Sequence, residues 1–159
     1  MTVAIQLRSL FVNNIFLATA ASLCTAQVLK MIFFIITNKG GRVLDAITTV
    51  VWRTGGMPSS HSAVVCALVT SVGFKEGVSS NLFIFSIWFA LVVLRDALGV
   101  RRAAGLQAKA LNFLGRQFME KTGVDFHAVK EIQGHSPLEV AVGAFLGICI
   151  ATGFAILHV

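Results

Sequence analysis

The chain has no tyrosine, two prolines in 159 residues and a charged fraction of only 13 %. Each shortage excludes something. With 56 % hydrophobic residues and a mean hydropathy of +0.83, so little charge cannot cover a water-soluble domain of this length, and the composition selects an integral membrane protein. Acidic residues are scarce too, seven against thirteen Lys and Arg, for a formal net charge of +6. In a soluble protein that balance suggests nucleic acid. Here the cations lie almost entirely between apolar runs, so lipid head groups or a phosphate substrate account for them and no nucleic-acid partner is expected. Cys24, Cys66 and Cys149 are odd in number and lack metal-ligand spacing. Neither a disulfide framework nor a bound metal is expected, and the three read as small core residues. The N-terminus lacks the short apolar core and cleavage site of a signal peptide, so its first apolar run is expected to be retained.

Four apolar runs are present: Leu10–Thr37, His61–Phe74, Leu82–Leu94 and Pro137–Leu157. The first and last are long enough to cross a hydrocarbon core of about 30 Å at 1.5 Å per residue, whereas the second is short. Between Val100 and Lys121, Leu106, Ala110, Phe113, Leu114 and Phe118 recur at helical spacing among polar residues. That pattern is an amphipathic helix, lying at the interface or extending the third span. Gly143, Gly147 and Gly153 suit the last run to close helix contact. The expectation is an all-α, small integral membrane bundle of about four spans plus the amphipathic or extended helix, with residues 1–159 as a single domain. The partly apolar loop at 38–60 is a candidate re-entrant segment, and 122–136 a polar connection.

Four spans place the loop at 38–60 and the segment at 95–136 on one face. That face carries ten Lys and Arg residues, and the other carries only Arg8 and Lys75. By the positive-inside rule the basic face is cytoplasmic, as in a bacterial inner membrane or its equivalent.

Both prolines fall on that face, in "GGMPSSHS" (55–62) and "GHSPLEV" (134–140). In the first, Ser59 and Ser60 read as helix-capping groups, with His61 in the first turn of a helix. The same N-terminus, with glycines before it, is an anion site, because its amides and dipole point at the ligand. In the second, Ser136 as N-cap, Pro137 as first helical residue and Glu139 three beyond the cap form a capping box. His135 and Glu139 are also four apart, a spacing at which a carboxylate can hold an imidazole in one tautomer. Local sequence leaves the capping and functional readings open in both. "RDALGVRRAAG" adds Asp96, Arg101 and Arg102, where guanidinium groups suit phosphate oxygens. Lys30, inside the first span, is costly unless it faces a polar cavity.

Together, "AQVLK", "GGMPSSHSA", "RDALGVRRAAGLQAKALN" and "GHSPLEVAVGAFLG" resemble the divergent branch of the type-2 phosphatidic acid phosphatase family, which is related to vanadium-dependent haloperoxidases. The resemblance runs from about Ala26 to Gly147. It implies metal-free, cofactor-free phosphoester hydrolysis through a phosphohistidine. "PSSH" matches the family's PSGH, which implies His61 as general acid and Ser59 and Ser60 as phosphate contacts. "HSPLE" matches HxxxD with Glu for Asp, which implies His135 as nucleophile and Glu139 as its orienting partner. A dianionic phosphoryl group needs several cations, for which Lys30, Arg101 and Arg102 are the available candidates, with Asp96 and Lys130 as candidate support. The chain also lacks both motif arginines. Thr37 stands where the first motif has arginine, and Val129 where the third does, beside Lys130.

These readings lead to a membrane phosphatase acting on a lipid phosphate or a prenyl diphosphate. The alternative is a non-catalytic head-group binder, scaffold or lipid transporter that keeps the anion site. Expected partners are membrane lipids and a lipid phosphate substrate, with room for a homo-oligomer.

Overall fold

A computed structural model describes residues 3–37, 56–131 and 134–157. Most of the expected re-entrant loop, 38–55, lies outside the described residues. All regular elements described are helical: α1 (Val3–Val12), α2 (Asn14–Thr37), α3 (Ser60–Glu76), α4 (Asn81–Arg95), a π-helical turn (Asp96–Val100), α5 (Arg101–Thr122) and α6 (Pro137–Leu157).

Local chemistry explains most boundaries. The first apolar run is interrupted because the Asn13 side chain accepts the Ile15 amide at 2.9 Å, which caps α2 and separates it from α1. Ser80 caps α4 by accepting the Phe83 amide at 3.2 Å, just after Gly77 turns the chain with φ of 83°. Gly123, at φ 72°, ends α5 in the left-handed conformation that a Cβ disfavours.

Among the described residues, three stretches are long and apolar enough to cross a membrane: Asn14–Thr37, Asn81–Thr122 and Pro137–Leu157. The protein is a helical membrane bundle. The 17-residue α3 is not among these stretches. It packs against α2, α4 and α6, in the middle of the bundle. Between the two expectations for the amphipathic segment, extension of the third span is the outcome, because the π turn joins α4 to α5 without a break.

Small residues bring the helices together. Ala18, Ala67 and Ala151 form the centre of the core. A Cβ on Gly143 would collide with the Ser59 carbonyl, and one on Gly147 with the Ala63 carbonyl, so α6 runs with its backbone directly on α3. Gly153 has nothing within 4 Å and does not share this contact. Large apolar groups such as Phe85, Trp88 and Phe145 face outward, where lipid solvates them. Among helices in lipid, close packing and not water exclusion supplies the attraction. The cysteines depart from expectation: Cys24 and Cys149 are exposed on the outer surface and Cys66 is only half-buried. Their apolar surroundings in sequence are those of lipid-facing positions as much as of a core.

Candidate active site

The two histidine blocks meet through backbone. The Ser59 amide donates to the Glu139 carbonyl at 3.0 Å, joining the entry of α3 to the first turn of α6. The bare α-carbon of Gly143 permits this approach.

At the α6 end, capping and imidazole orientation use the same carboxylate oxygen. Glu139 Oε2 accepts the Ser136 amide at 3.0 Å and lies 3.0 Å from His135 Nδ1. The Ser136 hydroxyl returns the capping bond by accepting the Glu139 amide at 3.3 Å. His135 is buried, with 4 % of its surface exposed. An Nδ1 that donates to a carboxylate leaves Nε2 of the neutral ring as the free lone pair.

At the α3 end, Ser59 is fully buried and its hydroxyl accepts both the Ser62 amide at 3.4 Å and the Ser62 hydroxyl at 2.9 Å. Ser59 is thus the cap, one residue after Pro58 and one before the helix. Ser60 and His61 are the first two helical residues, whose amides have no acceptor within their own helix. Ser62 was not singled out from sequence, although a third serine in "PSSHS" signalled more capping capacity than one helix start needs.

Lys30 is buried at 7 % exposure, its aliphatic stem against Gly56. Its charge interacts with that of Glu139. The Arg101 Nε donates to Asp96 Oδ2 at 2.6 Å, both side chains being partly exposed. Five residues separate them, a spacing the wider π turn brings onto one face.

His61 feels all of these groups. It stands at the head of α3, outside the three membrane-length stretches, and retains an exposed surface. Desolvation of its ring by the neighbouring helices is nevertheless the largest influence, and it lowers the proton affinity below the ordinary histidine value. The positive charges of Arg101 and Lys30 lower it further, the nearby His135 imidazole acts in the same direction, and Asp96 opposes them. His61, His135, Lys30, Arg101, Asp96 and Glu139 are therefore one electrostatic cluster. Arg102 and Lys130 are exposed and are not among the charges that act on His61. Arg102 contributes backbone instead, lying so close to Gly134 that a Cβ there would clash with it. A cavity of about 220 Å³ exists elsewhere, lined by Asn14, Ser71, Lys75 and Phe154 at the other end of the bundle, away from this cluster.

Comparison with known sequences gives the family. Residues 11–150 match the model of the Divergent PAP2 family. The chain belongs to that family. The uncharacterized membrane protein YuiD of Bacillus subtilis (strain 168) is 40 % identical over 153 residues, covering 89 % of this chain and 93 % of that one. No solved structure matches the chain significantly. Membership of the Divergent PAP2 family relates the chain to membrane phosphatases, and the matched region contains every residue of the cluster.

Proposed function

We propose that the protein is a membrane phosphatase that hydrolyses a lipid phosphate monoester or a prenyl diphosphate through a phosphohistidine, at the cytoplasmic face of a bacterial inner membrane or its equivalent. The observation that carries this reading is the buried His135–Glu139 pair, set beside His61 with Lys30 and Arg101 acting on the same imidazole.

In the proposed reaction, His135 Nε2 attacks phosphorus in line, forming a P–N bond as the bond to the leaving oxygen breaks. His61 gives its proton to that oxygen, releasing the alcohol from a phosphate monoester or the prenyl monophosphate from a diphosphate. Water then attacks the phosphohistidine, His61 takes a proton from it, and inorganic phosphate departs with His135 restored. Lys30, Arg101 and the amides of Ser60 and His61 hold the phosphoryl oxygens and stabilise the charge that develops on them. Glu139 keeps the His135 ring in register and stabilises its cation. An empty site that disfavours a proton on His61 is compatible with a general acid, because an arriving dianion restores that proton.

Purified protein should release phosphate from phosphatidic acid or a prenyl diphosphate in the presence of EDTA. His135→Ala and His61→Ala should each lower the rate by about 10² or more, the scale of a lost acid, base or nucleophile. Parent-like rates in both variants would sink the histidine pairing. The tie between Arg101 and Asp96, together with Thr37 at the usual arginine position, favours the second reading, a head-group binder. Saturable lipid phosphate binding with no hydrolysis across a broad panel, and no phosphohistidine trapped on His135, would select it.

A further inference from the structure

The segment that leads into His135 is held by a helix whose charged residues have no part in the proposed chemistry beyond Arg101. Asn112 lies in the middle of α5 with 4 % of its surface exposed, an unusual place for a residue of low helix propensity. Its side chain binds the returning chain on both edges. Oδ1 accepts the Val129 amide at 2.9 Å, and Nδ2 donates to the Val129 carbonyl and to Glu131 Oε1, each at 2.9 Å. Two glycines allow the same approach on either side: Gly115 receives the Phe126 ring, and Gly134 lies on the Arg102 backbone.

Chain length leaves the returning segment little freedom. From Gly123, where α5 ends, to Gly134, beside Arg102, there are eleven residue steps. Fully extended they span about 38 Å at most. The helix between Arg102 and Gly123 rises about 31 Å. The return therefore uses about four fifths of its reach, and His135 follows Gly134 directly.

We propose that Asn112 is a positioning residue, which clasps the return segment to α5 at Val129 and Glu131 and so sets where His135 stands against His61. The proposal rests on reading those two histidines as a reacting pair. Asn112 touches neither the substrate nor the reacting atoms. Its effect passes through Val129 and the chain between Val129 and His135.

The test uses the full chain in lipid nanodiscs. One arm measures position without activity: nitroxide labels at 61 and 135, introduced as His61→Cys and His135→Cys after replacing the natural cysteines, read separation by dipolar broadening. Asn112→Ala should weaken the broadening. The other arm measures phosphate release from phosphatidic acid. There Asn112→Ala should lower kcat by about tenfold to a hundredfold, the scale of an ångström-level misplacement. KM should stay within about twofold, because Lys30 and the α3 amides are untouched. Asn112→Asp should behave like the alanine variant, and adding Glu131→Gln should recover part of the loss by reversing the donor and acceptor of that contact. Unchanged label separation, or kcat and KM changing together with no recovery in the double variant, would overturn the proposal. A parent that releases no phosphate would remove the phosphatase reading alone, and the label arm would still decide the clasp.

Discussion

Glu139 shows why the competing readings of "GHSPLE" could not be separated by sequence. Its Oε2 is both the capping acceptor for Ser136 and the partner of His135, so one atom satisfies both. His61 carries the sharpest prediction at this scale. Its proton affinity is lowered by desolvation first and then by Arg101, His135 and Lys30, so in the empty site it should titrate below the usual value of about 6.5 and be neutral at pH 7. A bound phosphoryl dianion adds negative charge beside it and must raise that midpoint. By linkage, binding then takes up a proton, and affinity should rise as pH falls from 7 toward the midpoint of the empty site. Histidine NMR with and without vanadate, assigned through His61→Gln, measures this. A midpoint in the empty protein at or above the ordinary value would contradict the cluster described here.

At the scale of elements, the contact between α3 and α6 decides whether the site exists. Gly143→Ala pushes a methyl group into the carbonyl of Ser59, the cap of α3, and Gly147→Ala into that of Ala63 within it, and overpacking of this kind costs about 1–3 kcal/mol. Both should lower Tm in detergent and weaken phosphate binding, because the bond from Ser59 to Glu139 depends on that spacing. Gly153→Ala, with open space around it, should change neither. Equal effects at all three positions would show that backbone contact is not what joins the helices. The three glycines looked alike as a small-residue set. Gly143 and Gly147 are four apart and share a helix face, whereas Gly153 is six further on and turns away, so phase was the readable signal. The fate of α5 was not readable in the same way. Its amphipathic pattern allowed an interfacial helix or an extended span, and the π turn between Asp96 and Val100 chose the second. Asn112 was passed over because a lone polar residue on an amphipathic helix normally meets water, and only the returning chain shows what it binds.

Across the whole molecule, α2, α3, α4 and α6 run in alternating directions, so that Lys30, His61, Asp96, Arg101 and His135 gather at one end, with the cavity lined by Asn14 and Lys75 at the other. If the basic end is cytoplasmic, a membrane-impermeant maleimide should label Ser79→Cys from outside intact cells and Val124→Cys only after permeabilisation. The natural cysteines are removed first, since Cys24 and Cys149 are exposed. The reverse pattern would place the site on the outer face and show that these cations are set by the ligand and not by topology.

Composition alone determined that the protein belongs in a membrane, because 13 % charge cannot cover a water-soluble surface. Hydrophobic run lengths determined the long helices, and local capping chemistry most of their starts, since both act over a few residues. Spatial convergence was different. Lys30, His61, Arg101 and His135 are spread over more than a hundred residues, and nothing local says which cations reach an imidazole. Tertiary packing selected Arg101 over Arg102, tied it to Asp96 and left Lys130 outside. Charge interactions fall with distance, and distance between remote residues is set only when the helices close on one another.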